Sequence, residues 1–255
     1  MTPSTHWLVG CALAAAIALL ATRAKALTFS GALAAWSVGS VIFGAGGWAG
    51  AAALLTFFGT STALSRWRKG RKDALGYEKG GQRDAWQVLA NGGVAAACLL
   101  LPYLFPRIEA GRSYLWFLAA LASANADTWA TEIGSALGGQ PWDLRSGTSA
   151  QPGTSGAVSL GGTLAALVGA ALIGVLFAPD WPTRLLVAAA GWGGAFADSL
   201  LGAFVQAQWR QIGTNRWSEH PQPRPPERGL RFFGNDAVNL LSTVLAVCLA
   251  ASLEK

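Results

Sequence analysis

Charge is scarce in this 255-residue chain: Asp, Glu, Lys and Arg make up 13% of it, about half of what a soluble globular domain carries. With 52% hydrophobic residues and a mean hydropathy of +0.37, that shortage excludes a soluble fold and points to a chain whose solvent is mostly lipid. Disorder is excluded as well, because it requires low hydrophobicity. Cysteine is equally rare. Cys11, Cys98 and Cys248 all sit inside apolar runs, so a disulfide scaffold is excluded and they read as small core residues. The apolar runs lack alternation of period two, which argues against membrane strands. There is no GxxxxGKS/T loop, no Cys/His zinc pattern and no Ser/His/Asp set, and His6 and His220 lie far from the polar cluster described below.

What is present is an all-α reading: a single integral membrane domain over residues 1–255, a polytopic transmembrane helical bundle of about eight helices with its N-terminus outside. The crossings run approximately from Trp7 to Ala21, Leu27 to Gly44, Trp48 to Leu64, Gln87 to Phe105, Tyr114 to Gly134, Val158 to Phe177, Leu185 to Ala207 and Asn235 to Leu253. Glycine, proline and charge separate them, least sharply at Gly44, Gly46 and Gly47. Ala24-Lys25-Ala26 resembles a signal cleavage site, but nothing before Trp7 is basic while Arg23 and Lys25 follow the run, so the first run reads as a retained helix. Trp36, Trp48, Trp181 and Trp192 read as interfacial anchors and packing.

That orientation puts fifteen of the nineteen Lys and Arg residues in cytoplasmic loops and only Arg107, Arg112, Arg184 and Lys255 outside. The net charge of +6 is therefore mostly one inner face, explained first by topology and secondly by attraction to anionic lipid head groups or phosphates. Membrane lipids are the expected surroundings, in the cell inner (plasma) membrane. No nucleic-acid partner is expected, since no soluble reader domain accompanies the basic residues.

The crossings contain no Lys or Arg, yet Asp127 and Glu132 fall in the fifth, Asp198 in the seventh, Asp236 at the start of the eighth and Asp84 just before the fourth, with Asn91, Asn125, Gln206, Asn235 and Asn239 nearby. Each ionised carboxylate in hydrocarbon costs about 2.5 to 3.5 kcal/mol on insertion scales, so the group needs a cavity, a cation or protonation. The alternating helix directions place all these residues toward the cytoplasmic end. Helical spacing puts Asp127, Thr131, Gly134 and Gly138 on one face, and Ala195, Asp198, Gly202 and Gln206 on another. Interhelical packing is the alternative for the carboxamides and for Gly134 and Gly138.

The loop between the fifth and sixth crossings contains Gly-Thr-Ser twice, the second time as Gly153-Thr154-Ser155-Gly156 just before a helix. There, backbone N–H groups, hydroxyls and the helix dipole make a phosphate cradle, the alternative being a flexible connector. Lys79 and Arg83 precede the fourth crossing, and Arg145 lies in the Gly-Thr-Ser loop. Carboxylates able to hold Mg²⁺, a Gly/Ser/Thr loop and basic side chains at one membrane face are the parts phosphoryl transfer needs.

Five segments carry a resemblance: Gly80 to Gly93, Ala126 to Gly134, Gly153 to Ser159, Ala197 to Ala203 and Asn235 to Asn239. In this order they resemble the motif set of the membrane family that contains the plant phytyl-phosphate kinase of vitamin E synthesis. Asp127, Ala130, Gly134 and Gly138 also resemble the D-A-x-A-x-x-x-G-x-x-x-G pattern of CTP-using phytol and dolichol kinases, with Thr128 where those have Ala. The resemblance implies conversion of an isoprenoid monophosphate (phytyl, farnesyl or geranylgeranyl phosphate) to the diphosphate, with Mg²⁺ and with CTP or ATP as donor. Under it, Asp127 and Asp198 coordinate Mg²⁺, Glu132, Asp84 and Asp236 are further ligands or their supports, Lys79, Arg83 and Arg145 neutralise phosphate oxygens, and Gly153, Thr154, Ser155 and Gly156, with Asn91, Asn235 and Asn239, bind phosphates. A rival reading is a cation- or proton-coupled transporter using the same carboxylates, and a third is a phospholipid-binding scaffold. The Ala-x-Ala-Asp segments ending at Asp127 and Asp198 lie on helices of the same orientation, which weakly disfavours an inverted repeat.

Overall fold

The computed structural model describes residues 3–67, 82–137, 139–211 and 217–254. Seven helices account for most of them: α1 (Pro3–Arg23), α2 (Phe29–Trp67), α3 (Ala85–Leu104), α4 (Ala110–Ala136), α5 (Leu160–Phe177), α6 (Trp181–Phe204) and α7 (Asn235–Leu253). The protein is an integral membrane bundle. Six of the helices, all but α4, are long and apolar enough to cross a membrane. Leu8, Leu20, Leu164, Leu176 and Leu185 lie exposed on the outer surface, where the contact is with acyl chains.

The 39 residues of α2 are not one rod: at Gly47, φ 61° and ψ −154° break the helix, a conformation that belongs to glycine. The chain doubles back there, since a Cβ on Gly50 would sit 3.1 Å from the Ile42 carbonyl oxygen, and Phe43 meets Trp48 edge-on at 4.8 Å. The arms 29–46 and 48–67 thus follow the expected second and third crossings, so the described residues form eight helical rods, of which α4, over the expected fifth crossing, is the one that is not apolar enough to count as a span. The expected Gly44-to-Gly47 boundary narrows to one residue.

Helix α4 is the axis of the bundle. It packs on α2, α3, α5, α6 and α7, and Phe117 to Ala122 are each fully buried. Small residues let the neighbours come close. A Cβ on Gly191 of α6 would lie 2.6 Å from that of Ala122, and one on Gly134 would lie 2.8 Å from Gly162 Cα of α5, which is the packing alternative for Gly134. Buried Asn125 ties three helices, accepting from the Thr60 hydroxyl at 3.2 Å and donating to the Gly169 carbonyl at 2.7 Å. Of the cysteines, Cys98 is buried but Cys248 is exposed on the bundle surface, so the expectation of core cysteines fails for Cys248: its helix turns that face to lipid. Trp36, Trp48, Trp181 and Trp192 are all exposed.

The loops at one end carry the little β-structure. Strands β1 (Trp142–Asp143), β2 (Thr148–Ser149) and β3 (Ala157–Val158) form a three-stranded antiparallel patch in the order β2-β1-β3, and β4 (Trp209–Arg210) pairs with β5 (Trp217–Ser218). An ion pair pins the two loop regions together: Arg228 Nη1 lies 2.7 Å from Asp143 Oδ2, with little of either side chain exposed. Burial pushes the Asp143 carboxyl up, but the Arg228 bond and charge and the Arg145 N–H outweigh it and hold it below its ordinary value.

Candidate functional site

At the end of the bundle bearing these loops lies a cavity of about 1740 Å³, walled by the turn after α1, the end of α2, the start of α3, the end of α4, the Gly-Thr-Ser loop, the end of α6 and the start of α7. Each wall arises from a local sequence cause. Asp84 Oδ1 accepts from Gln87 N at 2.9 Å and starts α3 as a capping box. Ser159 Oγ accepts from Gly162 N at 3.1 Å and starts α5. Gly156, at φ 77°, lets the loop press on α6, where a Cβ would stand 2.3 Å from Ala203 Cα.

Of the residues picked out in the sequence, Asp127, Glu132, Asp198, Asp236, Arg83, Asn91, Asn235, Asn239, Gly153, Thr154, Ser155 and Gly156 all line this one cavity. Three expectations come out differently. The Asp84 carboxylate is engaged at the N-terminus of α3 and stays out of the lining, because a residue that starts a helix turns its side chain back onto the first turn. Arg145 is exposed on the β1–β2 turn, also outside the lining. His220, placed far from the cluster by sequence, reaches the rim, because the chain after α6 folds back over the site. Lys79 and Gly138 lie outside the described residues.

Around the carboxylates the cavity has two poles. At one, Ser65 Oγ donates to Glu132 Oε1 at 2.6 Å, and Arg83 faces Glu132. Burial pushes the Arg83 guanidinium below its ordinary value, with Glu132 opposing the shift; it stays cationic at neutral pH. Its main chain is clamped in a bridge beside Leu27, with Arg83 N donating to Ala26 O at 2.9 Å and Thr28 N to Arg83 O at 3.0 Å. Lys25 and Arg66 also line this pole.

At the other pole is Asp198. Asp127 and Glu219 lie close enough to oppose its negative charge, and the Ser242 hydroxyl is within hydrogen-bonding reach. Its Oδ2 is buried and has no hydrogen-bond partner among the described residues. The Ser155 hydroxyl donates to Glu219 Oε1, linking the Gly-Thr-Ser loop to this acidic group. Within that loop the Thr154 and Ala157 N–H groups are bonded to Gln151 and Thr154 carbonyls at 3.2 and 3.1 Å, so hydroxyls and the α5 terminus, not those amides, are what it offers a ligand.

Among the described residues no three His, Cys, Asp or Glu side chains come together as a self-sufficient metal cage. Mg²⁺ does not need one: it is usually held by one or two carboxylates with the substrate's phosphate oxygens and water completing the octahedron. Asp127 with Asp198, one oxygen of which is buried and unpartnered, fits that pattern. Glu219 and the basic residues Lys25 and Arg66 were not singled out by sequence reasoning; Glu219 sits in a Pro-rich loop with no periodic signal.

The fold and this site define a class, multi-pass helical membrane proteins with a large charged cavity at one face. More particularly, the chain belongs to the family described as integral membrane protein DUF92, whose model matches residues 12–247. It is similar to Protein PGR of Arabidopsis thaliana, at 29% identity over 98% of this chain and 96% of that one. An uncharacterised membrane protein of Synechocystis is 29% identical over 94% of this chain and 86% of its own, and Protein VTE6, chloroplastic, of Arabidopsis thaliana is 25% identical over 90% and 66%. No solved structure matches the chain.

Proposed function

We propose that this protein is a membrane-embedded prenyl-phosphate kinase, which moves a phosphoryl group from a nucleoside triphosphate, CTP or ATP, onto an isoprenoid monophosphate to give the diphosphate. The observation that carries the reading is the convergence in one cavity of Asp127, Asp198, Glu132 and Asp236 with Arg83, Lys25 and Arg66 and with the loop from Gly153 to Ser159. The motif resemblance to the family of the plant phytyl-phosphate kinase and the relationship to VTE6 supply the substrate class.

In the reaction an acceptor phosphate oxygen bonds to the γ-phosphorus, the γ-phosphorus–oxygen bond to the β-phosphate breaks, and the nucleoside diphosphate leaves. The attacking oxygen is already ionised, so no general base is required. The protein's task is positioning and charge neutralisation. Arg83, Lys25 and Arg66 offset the acceptor and equatorial oxygens, while Thr154, Ser159 and the α5 N-terminus meet the donor's phosphates. Asp127 and Asp198 would hold Mg²⁺, which would supply charge neutralisation on the phosphoryl oxygens.

The transporter reading requires a midplane site open to both sides, whereas this cavity is bounded by the loops of one end. Purified protein in detergent, given Mg²⁺, each nucleotide and a panel of prenyl phosphates, should yield prenyl diphosphate by mass spectrometry. Folded protein that yields none from any pairing overturns the proposal.

A further inference from the structure

A second cavity, about 230 Å³, opens from the first between α1, both arms of α2 and the start of α3. Its lining is apolar along its length: Ala14, Ile17 and Ala18 from α1, then Val38, Ala51 and Leu55 from the arms of α2. Apart from the Trp48 indole, its polar side chains are only Arg83, Gln87, Asn91 and Thr128, and these same four line the polar cavity as well. The slot therefore ends, at its polar mouth, inside the site already described. Its other end is the α2 hairpin, where Gly10, Phe43 and Trp48 close it. From Ala21 to Gly10 along α1 the track is about 16 Å long at the helical rise. Its flank is open: Leu13 and Leu55, both in the lining, are 38% and 44% exposed on the lipid-facing surface.

An apolar track with one polar end, a lateral opening to lipid and a cation at the junction matches one kind of occupant: a single hydrocarbon chain carrying a phosphate. Arg83 is built for that junction. Its guanidinium stands over the Phe58 ring of the slot at 5.4 Å and donates from Nη1 to Thr62 Oγ1 at 3.3 Å on the polar side. We propose that this slot is the track for the isoprenoid chain of the acceptor, entered sideways from the bilayer, with the chain's end toward Phe43 and Trp48 and its phosphate beyond Arg83 and Asn91. This rests on the kinase reading for the phosphate's fate, but the track itself is a statement about binding. Chain-length preference then resides in the closed end: Trp48, exposed and at the hairpin tip, and Ala51, half-buried, are positions where bulk changes depth without entering the core.

Two measurements on the full chain in lipid nanodiscs test it. First, geranylgeranyl phosphate bearing a diazirine on its terminal isoprene is photolysed, and the labelled residues are mapped by mass spectrometry. Labelling should fall within residues 10–14 and 39–55, and an excess of unlabelled geranylgeranyl phosphate should remove it. Second, Ala51→Phe should lower kcat/KM for geranylgeranyl phosphate relative to geranyl phosphate by about tenfold, and Trp48→Ala should move the ratio the other way, the size expected for a few methylenes in an apolar pocket. Specific labelling on α5 to α7, or ratios unmoved in both variants with turnover intact, overturns the track and leaves the kinase reading standing. Specific labelling within the slot in a protein that makes no diphosphate supports the track and overturns the kinase reading.

Discussion

Asp198 has one carboxylate oxygen buried without a partner among the described residues, with Asp127 and Glu219 near enough to repel it. Such an arrangement costs stability unless a cation relieves it. Replacing Asp198 by Asn should therefore leave a folded protein whose Tm equals or exceeds the parent's, while turnover falls at least about a hundredfold, as for loss of a charge-stabilising group. Asp127→Asn should do the same to turnover. Unfolding curves beside the diphosphate assay check both; wild-type turnover in either removes its role. The legibility of these two residues in the sequence has a plain cause: a carboxylate inside an apolar run violates the solvent preference of the run. Asp84 shows the limit. Its Asp-x-x-Gln spacing is a capping box, and the carboxylate bonds its own helix at 2.9 Å, so proximity in sequence to the acidic cluster carried no information about direction. Glu219 and His220 were invisible because only the fold-back of the loop after α6 brings them to the rim.

At the scale of elements, the loop leading into β3 presses on α6 at a point that tolerates nothing larger than glycine. Gly156 has φ 77°, and its missing Cβ would overlap Ala203 of α6. Gly156→Ala adds roughly 1 to 2 kcal/mol of left-handed backbone cost before the clash is counted, and the loop must lift from α6 to accept it. Raised KM for the nucleotide is expected with less change in KM for the prenyl phosphate, because Thr154 and Ser159 move while Arg83 and the apolar slot do not; steady-state kinetics with each substrate varied in turn will check this. The helices themselves were readable from apolar length and flanking charge, and the glycine-rich boundary within α2 proved to be a hairpin tip. The loop pairing through Asp143 and Arg228 at 2.7 Å was not, since two residues eighty-five positions apart announce nothing to each other in sequence.

For the whole molecule, polarity runs end to end. Among the described residues, most of the basic side chains and the mouth of the cavity share one end of the bundle, while Arg107 and Arg184 mark the other. In a variant without native cysteines, Ser146→Cys should react with an impermeant maleimide only from the cytoplasmic side and Arg107→Cys only from outside; the reverse result would turn the cavity outward and deny it cellular nucleotide. The slot escaped sequence reasoning because it exists only between elements, made by α1 and two arms of α2 that share no motif. The central helix has a consequence for how the protein is made. Helix α4 is not among the six apolar enough to span lipid, and it carries Asp127 and Glu132 into the bundle on a surface rich in alanine and serine. Three of the helices that enclose it, α5, α6 and α7, are synthesised after it. Its stable placement is therefore expected to wait on them: the centre of the protein is made before three of its five walls, and until those arrive α4 has only α2 and α3 to cover it.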